Sequence, residues 1–352
     1  MTLRAELVAR ISAQGPLSVA DYMADCLLHP IHGYYTTRDP FGATGDFITA
    51  PEISQMFGEL IGLSLAQAWI DQGRPTPFTL AEPGPGRGTL MADILRATQA
   101  VPGFHEAARL HLIEPSPTLA ARQRETLGDT RATWVQGVGD LPHQPLFLVA
   151  NEFFDALPLR QFVRSGTQWR ERQVGVAQGE LRFGLGPASP QPALAHRLAD
   201  TDEGDIVEYA PALAPITAEI GDRIERSGGA ALIIDYGDWR SRGDTLQAVM
   251  AHETVDPLAT PGQADLTAHV DFEALTLATP SAFSRVTPQG VFLERLGITA
   301  RAQALAKPLT GEALAAHVAA HRRLTHPDEM GTLFKVLGLY PSAAAPPPGL
   351  SR

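Results

Sequence analysis

Leu3, Leu7, Val8 and Ile11 recur at helical spacing and predict a helix over residues 3–14, ended by Gly15-Pro16. Ser18-Val19-Ala20-Asp21 has the form of a capping box and opens a second helix to Leu28. A third starts at Thr49-Ala50-Pro51-Glu52, again a capping-box pattern with proline in the first turn. It carries Ile53, Met56, Phe57, Leu60 and Ile61 on one face, runs to about Gln72 and stops at Gly73. Beyond it the pattern changes to short apolar runs, at 77–82, 110–113, 133–135, 146–150 and 230–234. The continuous runs, clearest at Leu146–Ala150, are those of strands buried on both faces. Residues 159–188 alternate as an antiparallel meander does, and 185–204, rich in Pro, Ala, Gly and Asp, read as a surface loop. Helical patterns fill 211–226, 271–279, 290–296, 299–306 and 311–323, and a last strand falls within 331–337.

This order predicts an α/β chain in three parts. A helical cap and flap occupies 1–74, and a sheet domain spans 75–340 with inserts at 159–205 and 238–330. Residues 341–352 form a tail expected to be disordered from its Ala/Pro composition.

Of the 352 residues, 44% are hydrophobic and 19% charged, which is enough to bury a sizeable core. The net charge of −11 and the lack of any Lys/Arg run argue against nucleic acid as a partner. The single cysteine, Cys26, excludes an internal disulfide and fits a reducing compartment; it is expected in the core. His29 and His32 are close in sequence, but no third ligand lies nearby and no metal is expected. With no leader-like N-terminus and no apolar stretch of membrane-spanning length, the chain is expected in a cytoplasm, and its Ala/Arg/Pro-rich usage looks bacterial.

The chemistry concentrates where the first short run ends, at Leu80-Ala81-Glu82-Pro83-Gly84-Pro85-Gly86-Arg87-Gly88-Thr89-Leu90. Strand, glycine bend and helix make the opening unit of a nucleotide-binding sheet. Thr89 stands where a dinucleotide fingerprint needs its third glycine, and the Gly-Lys-Ser/Thr of a phosphate loop is absent. Glu82 suits a ligand carrying a cationic amine and a sulfonium, and suits a pyrophosphate poorly. The E-x-G-x-G-x-G spacing thus resembles motif I of S-adenosylmethionine-dependent methyltransferases. A second acid, Glu114, ends the second run 26 residues beyond Gly88, where such folds bind ribose hydroxyls. The fourth run leads into Asn151-Glu152-Phe153-Phe154-Asp155-Ala156-Leu157-Pro158, which the strand-end rule places beside the reactive end of the ligand. The loop holding Gly45 and Asp46 has two readings, a plain helix entry or a flap over the cofactor.

Several motifs together resemble the family of the mitochondrial complex I assembly-factor methyltransferase and its bacterial relatives. They are Thr44-Gly45-Asp46-Phe47-Ile48-Thr49-Ala50-Pro51-Glu52, the Gly84–Thr89 bend, the Asn151–Pro158 stretch, Gly243-Asp244-Thr245-Leu246-Gln247-Ala248 and Ala264-Asp265-Leu266-Thr267. The resemblance covers about residues 18–337. It implies a Rossmann-like class I methyltransferase sheet with extra N-terminal helices and an inserted meander, and S-adenosylmethionine as cofactor. It also implies a protein substrate, since the mitochondrial member symmetrically dimethylates an arginine of a complex I subunit. Pro83 departs from the family, which often has an aliphatic residue there. The cofactor would be held by Glu82, Gly84, Gly86, Gly88, Glu114 and Asn151, with Gly45 and Asp46 in the flap. An arginine target calls for carboxylates that orient the guanidinium and take its proton, for which Glu152, Asp155 and Glu208 are the candidates. Helix capping and solvation is the competing role for Glu152 and Asp155. A small-molecule methyltransferase, a non-catalytic cofactor-binding assembly factor and an NAD-dependent oxidoreductase are the competing functions; a homodimer is also compatible.

Overall fold

The continuous apolar runs form the central sheet of the protein, whose computed structural model describes residues 1–37 and 49–352. Its six longest strands are β1 (Phe78–Pro83), β2 (Ala108–Ile113), β3 (Ala132–Val135), β4 (Leu146–Asn151), β5 (Gly229–Asp238) and β6 (Phe334–Tyr340). They lie in the order β6-β5-β4-β1-β2-β3. All neighbours are parallel except β6, which runs antiparallel to β5. Every residue of β1 and β4 is buried, as strands covered on both faces require. The chain leaves β1 toward β2 on one side and returns as β4 on the other. That reversal opens a crevice at the carboxyl ends of β1 and β4.

The expected helix over 49–72 is two helices, α1 (Ala50–Ile53) and α2 (Gln55–Asp71). Ser54 between them is extended (φ −162°, ψ 137°), and its Oγ accepts from the Met56 N–H at 3.3 Å, so its side chain starts a new helix instead of continuing the old one. The sequence period is blind to such a break because Ile53 and Met56 keep helical spacing across it. Helix α2 lies against α3 (Thr89–Thr98), the helix that follows the glycine bend. A Cβ on Gly62 would come within 2.9 Å of the Ile94 Cα, so the bare glycine lets the two backbones meet. Trp69, Phe78, Phe104 and Phe147 form one aromatic cluster in this core, with centroids 5.0 Å apart for Phe78–Phe104 and 5.2 Å for Phe78–Phe147.

Residues 341–352, expected as a disordered tail, pack instead on the same core. The Ser64 hydroxyl donates to the Pro348 carbonyl at 2.9 Å, the Arg285 N–H donates to the Ser351 carbonyl at 2.8 Å, and Leu350 packs against the core side chains. A proline-rich segment has little conformational freedom to lose, so composition alone was a poor guide here.

The described residues divide into two compact units. The sheet unit comprises 49–154, 214–239 and 272–352; the second comprises 1–37, 155–213 and 240–271. The expected meander is present in the second unit. Arg160–Ser165, Gln168–Ala177 and Glu180–Ser189 pair antiparallel, with Ile206–Tyr209 and the short Leu17–Ser18 completing the sheet. The stretch read as a surface loop is strand to Ser189 and a 3₁₀ turn over Pro192–Ala199. Arg197 in that turn is only 1% exposed. Its guanidinium donates to Asp200 at 3.2 Å, Asp271 at 3.0 Å and the Ser241 carbonyl at 3.0 Å.

Burial raises the Asp200 pKa, but the Arg197 hydrogen bond and the charges of Arg197, Arg240 and Arg242 outweigh it and hold the carboxyl below its ordinary value. An Arg197→Leu substitution strands two acids beside a buried apolar side chain, and should cost about 3–5 kcal/mol of unfolding free energy, read from the urea midpoint. A depressed carboxyl stabilises above its unfolded pKa and loses that contribution as pH falls through the folded value. The gap between parent and variant should therefore narrow in acid.

Candidate active site

Glu82, the penultimate residue of β1, is 3% exposed. Its Oε2 has no hydrogen-bond partner among the described residues. Burial without a counter-charge pushes its carboxyl up to about 8. Across the crevice β4 ends at Asn151, whose Nδ2 donates to Glu152 Oε1 at 3.1 Å. That bond turns the amide so that Asn151 Oδ1, also buried and without a partner among the described residues, is left as an acceptor. Two orphaned acceptors on adjacent strands describe a site for a cationic donor, because buried polar atoms left unpaired cost about 1–3 kcal/mol each.

Between them the chain turns through Gly84, Gly86 and Gly88, all at positive φ. Gly84 has φ +60°, where a side chain would be strained, and a Cβ there would lie 3.1 Å from the Phe153 ring and press on it. Gly88 (φ +83°) starts α3 with no side-chain cap, leaving the first N–H groups of the helix to other acceptors. Glu152 follows β4 with φ +50°, a left-handed conformation costing a glutamate about 1–2 kcal/mol. Its backbone N–H is fixed to the Ile234 carbonyl at 2.9 Å, and its Oε1 also accepts from Ala50 N at 3.3 Å. The next turn is held by Asp235, whose fully buried carboxylate accepts from Phe154 N at 3.0 Å.

Glu114, at the end of β2, accepts from Ser116 N at 2.8 Å and from Gln123 Nε2 at 3.1 Å. Burial raises its pKa and these two donors pull it back; the net direction is up. The Thr89 hydroxyl donates to Glu52 at 2.5 Å and ties α1 to the start of α3.

The structure therefore brings Glu82, Gly84, Gly86, Gly88, Glu114, Asn151 and Glu152 to the carboxyl ends of β1, β2 and β4. Asp155 and Glu208 belong to the second unit. Glu208 is engaged structurally. One of its oxygens accepts from Gln161 Nε2 at 2.8 Å, Thr245 N at 3.1 Å and Leu246 N at 3.2 Å, and the other accepts from the Thr245 hydroxyl. This anchors the Gly243–Ala248 motif, a role that spacing alone does not distinguish from catalysis. Gly45 and Asp46 lie outside the described residues. Sequence reasoning passed over Glu52, Gln123, Trp134 and Asp235. The signal for Gln123 was a polar side chain on the stripe formed by Leu119, Ala120 and Leu127.

A parallel sheet with this reversal, a glycine bend guarded by a buried acid and a second acid one strand over define an S-adenosylmethionine-dependent methyltransferase. The comparisons agree. Residues 60–290 match a family described as putative S-adenosyl-L-methionine-dependent methyltransferases, and the chain belongs to that family. It is 35% identical to the protein arginine methyltransferase NDUFAF7 homolog, mitochondrial, of Drosophila melanogaster, over 98% of this chain and 86% of that protein. It is 36% identical to the Homo sapiens protein arginine methyltransferase NDUFAF7, mitochondrial, over 95% of this chain and 82% of that one. The crystal structure of a likely methyl transferase from Burkholderia thailandensis, bound to S-adenosyl-homocysteine, superposes with a TM-score of 0.84 at 32% identity, covering 97% of this chain and 92% of that one. Both relatives named are mitochondrial; among the described residues no helix is long and apolar enough to cross a membrane.

The residues present fit the cofactor. Glu82 and Asn151 each carry a buried acceptor that a cationic amino-acid portion could meet, Glu114 is a buried acid at the end of β2 able to accept from hydroxyls, and the glycine bend leaves room for close approach. In the free protein Glu82 holds a proton up to about pH 8, and a bound ammonium favours the carboxylate. Cofactor binding should then release a proton, with affinity rising between about pH 6 and pH 8. Calorimetry in buffers of different ionisation enthalpy reads that release, and Glu82→Gln should abolish it while weakening binding by about tenfold or more.

Proposed function

We propose that this methyltransferase acts on an arginine side chain of a protein. The relatives that match nearly its whole length carry that activity in their names, and the family resemblance makes a respiratory complex I subunit the first target to test. The observation that carries the reading is Glu152, an acid held in a left-handed bend at the end of β4, beside a side-chain amide oxygen with no partner among the described residues.

The cofactor, when bound, supplies an activated methyl group on a cationic sulfur. What the chain must add is alignment and a place for a proton. A guanidinium keeps its proton to pH values above about 12, so the nitrogen that gains a carbon must shed a proton as the new bond forms. Glu152 is the acceptor in this reading. Its hydrogen bonds from Asn151 and Ala50 fix its direction, and paired contacts between a carboxylate and a planar guanidinium select which nitrogen faces the methyl group. Asp155 remains a second candidate carboxylate.

Glu152→Gln keeps the shape and one acceptor oxygen but removes the base. Cofactor affinity by calorimetry should stay within about twofold, while methyl transfer falls about 10²–10⁴-fold. Transfer from labelled cofactor to cell extract, followed by mass spectrometry of the labelled side chain, identifies the target. Label found only in small molecules, or cofactor bound with nothing methylated, would overturn the protein-arginine reading. Equal loss of binding and turnover would reassign Glu152 to a structural role.

A further inference from the structure

Gln123 lies on α4 (Pro117–Leu127), which follows β2, and is completely buried. Its amide makes three hydrogen bonds to three separate parts of the cofactor site. Oε1 accepts from the Trp134 indole N–H on β3 at 2.8 Å; Nε2 donates to the Gly86 carbonyl at 2.9 Å and to Glu114 Oε2 at 3.1 Å. The direction of this amide is not open to choice. An indole N–H can only donate, whereas a backbone carbonyl and a carboxylate can only accept, so the flipped amide would lose all three bonds. The aliphatic stem also lies under the start of α3. A Cβ on Gly88 would be 3.6 Å from the Gln123 Cα and Cγ.

We propose that Gln123 is a positioning residue for the cofactor, locking the glycine bend to the ribose-binding carboxylate so that Glu114 presents its remaining lone pairs toward the nucleoside. This rests on the cofactor assignment of the site and adds to it a residue that need not touch the ligand. Trp134 sets the amide, and the Arg124 guanidinium lies 4.2 Å above the Trp134 ring and covers it. With one N–H, Gln123 fixes where the bend passes; with the other, it fixes where the acid points. Without that second donor, Glu114 keeps only the Ser116 N–H against a burial that already favours its neutral form. Of the charged side chains near this amide, Arg124 lies over Trp134; Glu82 and Arg87 belong to the strand end and bend that precede Gly88.

Two substitutions in the full chain test this, with S-adenosylhomocysteine and its 2′,3′-dideoxy analogue as probes in calorimetry. Gln123→Leu should weaken the natural nucleoside about tenfold and the dideoxy analogue by no more than about twofold, because only the former has hydroxyls for Glu114 to recognise. Gln123→Glu keeps the acceptor for Trp134 but sets a second carboxylate against Glu114 and the Gly86 carbonyl. Relative to the parent at the same pH, its affinity should be lowest near pH 8. It should recover toward about pH 5.5, where the new carboxyl is protonated and can donate in place of the amide. A residue that merely filled space would produce no such recovery, and the Glu variant carries the test even if the Leu variant does not fold. The inference is overturned if both probes weaken equally in Gln123→Leu, or if Gln123→Glu shows no recovery while unfolding at the parent temperature. Failure of the parent itself to bind either probe would overturn the cofactor assignment first, and this inference with it.

Discussion

An acid kept from water, with no cation beside it among the described residues, is the constraint on which the sheet unit depends. Glu82 lies one residue from the end of a strand buried along its whole length; the free protein tolerates it by keeping it protonated, and a cationic ligand would complete it. The flanking architecture follows from that requirement. The strand order reverses beside it, which opens the crevice. The glycine bend removes side chains that would fill the space, and Phe153 closes over Gly84. Burial that is unfavourable to the free protein becomes an asset once an ammonium group arrives, because the low-dielectric surroundings strengthen the pair they form.

The opposite wall uses backbone strain where the first uses desolvation. Glu152 stands in a conformation that glycine would adopt without cost, and its neighbours over-determine it: the Ile234 carbonyl takes its N–H, Asn151 and Ala50 donate to its side chain, and Asp235 holds the turn that follows. A glycine in its place would relieve the strain and lose the acid. Keeping a glutamate there implies that its chemistry outweighs its conformational cost, which is why it, rather than Glu208, is the better candidate for work on substrate. Glu208 has each oxygen committed to the 244–246 loop.

The parts of this site readable in the sequence were those whose physics is local. Three alternate glycines, a strand-end acid and an unbroken run such as Leu146–Ala150 each announce themselves within a few residues. What sequence could not supply was long-range or depended on one side chain. The break at Ser54 turns on a single hydroxyl capping Met56. The buried Arg197 gains its place from Asp271, far along the chain. The packed end at 341–352 depends on Ser64 and Arg285, which composition cannot see. Gln123 was visible only as a polar residue among apolar ones, and its three partners come from β1, β2 and β3 exits that the sequence keeps well apart.

Each of the two units is assembled from three separate stretches of chain, and one changeover falls between Phe154 and Asp155, inside the motif that carries Glu152. No continuous piece of the gene therefore encodes either unit. A cut at the Phe154–Asp155 changeover separates the strands that carry the cofactor residues from β5 and β6, which complete the same sheet.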